Sequence, residues 1–287
     1  MITARAAVAG VAGWPVGHSL SPLLHNFWLE RYGIDGAYIP LPIRPEDFAT
    51  TIPALARAGF RGINVTLPHK QAALALCDEA DAPAMTIGAV NTLIFHPDGR
   101  IEGRNTDAFG FIENISAALH AAPLPRRAVV LGAGGAARAV LWALLQEGIR
   151  DITIINRNLE RAQALAADMA SAADGGPVQL HCGKWEERGD LLEGAELLVN
   201  TTSLGMEGQP PLEISPDPLA PGALVTDIVY TPLLTPLLAA ARAAGYRVVD
   251  GLGMLMHQAR PGFTAWFGHE AEVDEALRKH LLQAVSS

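Results

Sequence analysis

Three polar clusters carry side chains whose types and spacing could do chemistry. Gly17-His18-Ser19-Leu20-Ser21-Pro22 sets two hydroxyls two residues apart where a helix should begin. Ordinary helix capping accounts for Ser21 but hardly for both, and the pair can point at one small anion such as a carboxylate. Asn64-Val65-Thr66-Leu67-Pro68-His69-Lys70 puts polar side chains at a strand end and Lys70 in a helix first turn, where a cation is electrostatically disfavoured. Gly103-Arg104-Asn105-Thr106-Asp107 ends another strand, and Asn91 precedes one. A hydroxyl-rich ligand bearing a carboxylate would use this mix of amides, hydroxyls, one cation and one anion.

Lys70 stands out for a second reason. Lys and Arg together number 21, yet only Lys70, Lys184 and Lys279 are lysines. A compositional bias toward arginine accounts for most of this, and a plain surface lysine is the bland alternative at each position. A role that needs a departing proton would still forbid arginine, which stays charged.

A fourth feature is the run Gly132-Ala133-Gly134-Gly135-Ala136-Ala137, directly after the apolar Ala128–Leu131. It reads G-x-G-x-x-A at a strand-to-helix junction. Gly132 permits the tight turn, Gly134 lets backbone approach a pyrophosphate, and Ala137 lets helix and strand pack closely. Free N–H groups at the helix start then face the phosphates. The next strand ends in Asn156-Arg157-Asn158-Leu159-Glu160-Arg161, with no acid to bind ribose hydroxyls. Arg157 and Arg161 are four apart and suit a 2′-phosphate. The expected cofactor is therefore NADP rather than NAD.

The elements that must position these groups alternate. Strands are expected at Ala6–Val11, Ala37–Leu41, Arg61–Val65, Val90–Phe95 and Arg100–Arg104, the last two flanking a Pro97-Asp98-Gly99 turn. Helices are expected at Ser21–Arg31 with Ser21 as its cap, Arg44–Gly59, Pro68–Cys77 and 107–122. The pattern restarts with strands at Ala128–Leu131, Asp151–Ile155, Glu196–Asn200, Ala223–Ile228 and Arg247–Val249. Helices are read at Gly135–Glu147, 158–173, Thr235–Ala244, Gly251–Phe267 and Glu270–Val285. This is an α/β protein of two domains, the second a doubly wound Rossmann-type domain.

Composition narrows the class. The chain has 287 residues, 49% hydrophobic, which suits two domains and a large core. A net charge of -9 argues against a nucleic-acid or anionic-membrane partner without excluding small anions. Cys77 and Cys182 form no CxxC pair, and the histidines lack metal-ligand spacing, so no metal is expected. No signal-like start and no long apolar run are read, which leads to the expectation of a cytoplasmic soluble protein.

Taken together, the motifs resemble those of the shikimate dehydrogenase family. The matching stretches are His18–Pro22, Asn64–Lys70, Gly88–Thr92, Asn105–Asp107, Gly132–Ala136, Asn156-Arg157, Asn200–Met206 and Asp250–Met254, in the family's order. The resemblance implies a substrate domain at 1–106 plus 250–287 and an NADP-binding domain at 107–249, around a cleft. It implies Lys70 and Asp107 as the catalytic pair, and Ser19 and Ser21 at the substrate carboxylate. Asn64, Thr66, Asn91, Tyr230 and Gln258 would hold the ring and its hydroxyls. Gly132, Ala133, Gly134, Gly135, Ala136, Asn156, Arg157, Asn158 and Arg161 would bind NADP, with Thr201, Ile228, Gly251 and Met254 on the nicotinamide side. Asn158 departs from the threonine frequent in the family, but it can still donate to a phosphate.

The implied reaction is the reversible, NADP-dependent interconversion of 3-dehydroshikimate and shikimate by a monomer or homodimer. Two alternatives stand beside it: a quinate/shikimate dehydrogenase using NAD, and a non-catalytic NADP-binding sensor. His18 and His69 are read as loop-orienting residues.

Overall fold

The computed structural model describes residues 2–120, 122–171, 173 and 176–285. The chain divides into two compact units. One comprises Met1–Asp107 and Leu255–Ser287, and the other Ala108–Met254.

The first unit begins with β1 (Ala7–Gly13), α1 (Ser21–Arg31), β2 (Gly36–Pro42), α2 (Phe48–Arg57) and β3 (Gly62–Val65). There follow α3 (Lys70–Leu74), β4 (Glu79–Ala80), α4 (Ala82–Ile87), β5 (Thr92–Phe95) and β6 (Ile101–Arg104). Its sheet runs β2-β1-β3-β5-β6-β4. β1 is parallel to β2 and β3, whereas β5 pairs antiparallel with both β3 and β6. The β5–β6 reversal follows from the tight Pro97-Asp98-Gly99 turn, too short for a crossover.

α1 buries Ser21, Leu24, His25, Trp28 and Leu29. These recur at the 3–4 spacing of one helical face. Leu24, His25 and Trp28 are 0% exposed, and burying an apolar side chain as large as Leu24 contributes roughly 1.5–3 kcal/mol.

α5 (Asp107–Leu119) carries the chain into the second unit. There follow β7 (Arg127–Leu131), α6 (Gly135–Gln146), β8 (Asp151–Asn156), α7 (Leu159–Ser171) and β9 (Gln179–Lys184). Then come β10 (Leu197–Asn200), β11 (Leu224–Asp227), α8 (Pro236–Ala243) and β12 (Arg247–Val249). All pairs are parallel, in the order β12-β11-β10-β7-β8-β9. The strands are apolar on both faces, with Val129, Leu131, Ile155, Leu198 and Val225 in one cluster, as a sheet covered by helices requires. Strand order reverses between β7 and β10, where ligands bind in doubly wound sheets. The chain ends in α9 (Gly251–Phe267) and α10 (Glu275–Val285). Trp266 of α9 donates to the Leu93 carbonyl at 3.0 Å, and its indole occupies the space a Cβ at Gly62 would need.

Several expected elements differ. α1 begins at Ser21, with Leu20 as its cap and no side-chain cap bond. Ser21 is therefore not the cap; the Ser19 hydroxyl accepts from the Ser21 backbone N–H at 3.3 Å instead. The helix expected at Pro68–Cys77 shrinks to five residues, because β4 follows closely. Residues 121 and 172, within the helices expected at 107–122 and 158–173, lie outside the described residues. β4, α4 and β9 add to the expected set.

Candidate active site

Within the first unit, the ends of three strands bring the polar clusters together. Lys70 opens α3 just beyond β3, and Asp107 opens α5 just beyond β6. Their side chains form an ion pair at 2.5 Å between Nζ and Oδ2, 27% and 15% exposed. Asn91, immediately before β5, donates to the other carboxylate oxygen at 2.8 Å. The same amide approaches Thr106 Oγ1 at 3.0 Å and Gln258 Oε1 at 3.4 Å. Its own oxygen accepts from the Thr106 backbone N–H at 2.9 Å. Asn105 holds the turn into α5 by donating to the Ala89 carbonyl and accepting from the Asp107 N–H. Asp107 is thus oriented from both oxygens, while Lys70 has three N–H donors and spends one on it.

Asn64, 5% exposed at the end of β3, sits in the same network. Its amide N–H groups go to the Asn91 carbonyl at 3.2 Å and Thr92 Oγ1 at 3.1 Å. Its oxygen accepts from the Tyr38 hydroxyl at 2.6 Å. With two lone pairs, that oxygen can accept from a second donor. Ser21 is buried, and Ser19 and Thr66 are half-buried. Burial pushes the Tyr38 phenol well above its ordinary pKa, and a hydrogen bond with the Ser21 side chain pulls it back.

Beneath Tyr38 lies His25, stacked on it at 4.0 Å with planes 7° apart. Trp28, Phe263 and Trp266 surround the imidazole at 5.7–5.9 Å. Burial lowers the His25 pKa to about 3, against an opposing contribution from Asn64. His69, by contrast, stacks on Phe48 at 4.4 Å and bonds the Ile43 carbonyl at 2.8 Å, which ties its loop down. Glu79, His96 and Glu102 come close enough to hold a metal ion. Ion pairs of Arg100 with Glu79 at 2.7 Å and Arg104 with Glu102 at 2.5 Å already engage both acids.

Within the second unit, the glycine-rich loop lies at the strand-order reversal. Gly132 has φ +108°, and a Cβ there would come within 2.6 Å of Thr201 Oγ1. Gly134 caps α6 in an extended conformation, and Gly134 and Gly135 have open space where a Cβ would be. This is a cradle of unhindered backbone at a helix N-terminus, which fits a pyrophosphate. Thr201 follows β10 and bonds the Leu131 carbonyl at 2.6 Å, tying the two switch-point strands together.

At the end of β8, Asn158 caps α7 by accepting from the Arg161 N–H at 2.9 Å. Arg157 precedes that cap, so the two arginines flank the helix start rather than sharing a helical face. Arg157, Asn158 and Arg161 are all exposed. Gly251 packs so tightly that a Cβ would overlap the Ile228 carbonyl. Tyr230 and Met254 are half-buried, and burial raises the Tyr230 pKa.

Sequence reasoning passed over a buried support beneath these loops. Asp227, 1% exposed, accepts from Asn200 at 3.0 Å, Thr235 at 2.8 Å and the Val229 N–H at 3.0 Å. Burial raises its pKa, opposed by these bonds. Tyr38 was passed over likewise, because it lies within an ordinary strand, and Thr92 and Thr106 stood in the quoted motifs without an assigned role.

A doubly wound sheet with this loop, and a separate α/β unit bearing a lysine–aspartate pair, define a dinucleotide-dependent oxidoreductase. Comparison with known proteins gives the family. Residues 11–93 match the shikimate dehydrogenase substrate binding domain, and residues 118–198 match shikimate / quinate 5-dehydrogenase. A shikimate dehydrogenase (NADP(+)) from Rhodospirillum rubrum is 56% identical over 285 residues, covering 98% of this chain and 99% of that one. The crystal structure of shikimate 5-dehydrogenase from Thermus thermophilus with NADP(H) and shikimate is 37% identical. Its TM-score is 0.84, over 97% of this chain and 99% of that one. A quinate dehydrogenase from Corynebacterium glutamicum in complex with NAD is 32% identical, with TM-score 0.88 over 97% and 99%. The chain belongs to the shikimate dehydrogenase family.

The buried imidazole makes stability depend on pH. Below about 6.5 the unfolded chain takes up a proton at His25 that the folded chain refuses until about 3. Stability from this site is therefore full above pH 6.5 and falls as pH drops toward 3, by on the order of 4–5 kcal/mol. Urea midpoints across that range should fall less steeply for His25→Phe than for the unaltered chain; parallel curves would contradict the assignment.

Proposed function

We infer that this chain catalyses the reversible, NADP-dependent reduction of 3-dehydroshikimate to shikimate. The reaction is one step toward chorismate and the aromatic amino acids. The observation that carries the reading is the Lys70–Asp107 ion pair at 2.5 Å, buttressed by Asn91. A ketone that accepts hydride becomes an alkoxide and needs a proton at its oxygen. Lys70 is placed to donate that proton and, in reverse, to take it from the hydroxyl. Asp107 steers the ammonium and offers its remaining lone pairs to a substrate hydroxyl.

NADPH, when bound, supplies the hydride. The residues that would hold it fit: the Gly132–Ala136 cradle for the pyrophosphate, and Arg157, Asn158 and Arg161 near the adenosine phosphate. Asn156 steadies that turn by donating to the Asn158 carbonyl at 2.8 Å. Thr201, Ile228, Gly251 and Met254 are assigned to the nicotinamide side. Ser19 and Ser21 are assigned to the substrate carboxylate, and Asn64, Thr66, Asn91, Tyr230 and Gln258 to its ring and hydroxyls. Residues 1–106 with 250–287 are assigned to substrate and 107–249 to NADP. A cytoplasmic monomer or homodimer belongs to the same reading. No helix among the described residues is long and apolar enough to cross a membrane.

An NAD-dependent quinate/shikimate dehydrogenase is disfavoured, since the β8 end carries arginines and no acid. A non-catalytic sensor is disfavoured by the intact lysine–aspartate pair. Reduced-nicotinamide absorbance with shikimate or quinate against NADP or NAD separates these readings. Activity should be highest with shikimate and NADP; no turnover with shikimate would sink the proposal.

Two variants probe the assignments. Lys70→Ala should lower kcat by roughly 10²–10⁴-fold, the usual range for losing a general acid, with shikimate KM nearly unchanged. A kcat near the original would be fatal to that role. Arg157→Ala with Arg161→Ala should raise KM for NADP at least about tenfold, a loss of ~1.4 kcal/mol, and leave KM for NAD little altered. Equal effects on both cofactors would remove the 2′-phosphate assignment.

A further inference from the structure

Asn64 is a side-chain amide that could turn over and present N–H groups where its oxygen now lies. Its neighbours specify the orientation, foremost the Asn91 carbonyl, which can only accept and takes a hydrogen bond from Nδ2 at 3.2 Å. The Tyr38 hydroxyl, 2.6 Å away, donates to the Asn64 oxygen. On the amide side, Thr92 Oγ1 accepts from Nδ2, and Thr92 in turn donates to Asn91 Oδ1 at 3.1 Å. A flipped Asn64 would set its oxygen against the Asn91 carbonyl and force the Tyr38 hydroxyl to turn from donor to acceptor, losing buried hydrogen bonds.

Tyr38 is itself immobilised. It is 1% exposed, and Asn26 pins its backbone by accepting from the N–H at 3.1 Å and donating to the carbonyl at 2.8 Å. His25 stacks flat on its ring, and Asn64 is the polar side chain beside the imidazole. Of its ring contacts the stack on Tyr38 is the closest, at 4.0 Å.

We propose that Tyr38, held by His25, is a positioning residue that orients the Asn64 amide so that its oxygen accepts a substrate hydroxyl. The inference rests on Asn64 being a substrate-binding residue. Tyr38 acts through Asn64, and its hydroxyl bonds Asn64 and Ser21 rather than Lys70 or Asp107. Its removal therefore acts on substrate binding more than on the chemical step.

A double-mutant cycle tests this, with shikimate and NADP as the probes. Steady-state kcat and both KM values are measured for the unaltered enzyme, Tyr38→Phe, Asn64→Ala and the double variant. Tyr38→Phe should raise KM for shikimate about tenfold and change KM for NADP less than about twofold. In the Asn64→Ala background the same substitution should change shikimate KM less than about threefold, because the amide it orients is gone and only its hydrogen bond with the Ser21 side chain is left to lose. Additive effects, or an unchanged KM in Tyr38→Phe, would overturn the inference. An unchanged KM in Asn64→Ala alone would instead overturn the role of Asn64 in binding. Should Tyr38→Phe yield no folded enzyme, Thr92→Val releases the same amide from its other end. It must show the same non-additivity with Asn64→Ala, and additivity there would equally overturn the inference.

Discussion

The ion pair between Lys70 and Asp107 is the interaction around which the first unit is organised. Its members are 37 residues apart in the chain, and each stands at the first position of a short-loop helix entry. β3, β5 and β6 lie side by side, so the segments adjoining them deliver Lys70, Asn91 and Asp107 to one place. A lysine alone at a helix start would be disfavoured by the dipole; the carboxylate offsets that cost and fixes the ammonium. The carboxylate is held in turn by Asn91, and Asn91 by the Thr106 N–H. The chemistry thus rests on backbone, which a rotamer change cannot easily displace.

The second unit meets a different constraint. A pyrophosphate needs close backbone approach, so the loop after β7 must lack side chains, and Gly132 must also leave room for Thr201. The buried Asp227–Asn200–Thr235 set then stiffens the loops after β10 and β11. An acidic chain still carries local cations, Lys70 in the first unit and Arg157 and Arg161 in the second. The net charge of -9 speaks to polyanions and surfaces, and the local field speaks to small ligands.

Most of the architecture was legible because strongly periodic segments carry it. The parallel core strands β7, β8, β10 and β11 are near-continuous apolar runs, and Gly132–Ala137 announces its own junction. β9 escaped because it is an edge strand whose residues are largely exposed, leaving little hydrophobic pattern. α4 escaped although Asp81 caps it, Pro83 opens it and Gly88 ends it in a left-handed turn. The polar clusters at strand ends were readable as groups, but their couplings were not. Nothing in sequence pairs Tyr38 with Asn64, or assigns the hydroxyl of Ser19 to the Ser21 N–H, because those contacts depend on register and rotamer. Arg157 shows the same limit: four-residue spacing pairs it with Arg161, and the cap at Asn158 leaves it outside the helix that carries Arg161.

The most direct measurement is the kcat of Lys70→Arg with shikimate and NADP. Arginine preserves the positive charge and can still pair with Asp107, but it cannot release a proton in the working range. If Lys70 moves the proton, kcat falls by roughly the 10²–10⁴-fold typical of a lost general acid while KM for shikimate stays close to its original value. A kcat within a few-fold of the unaltered enzyme would mean that only the charge matters at this position, and would contradict the account.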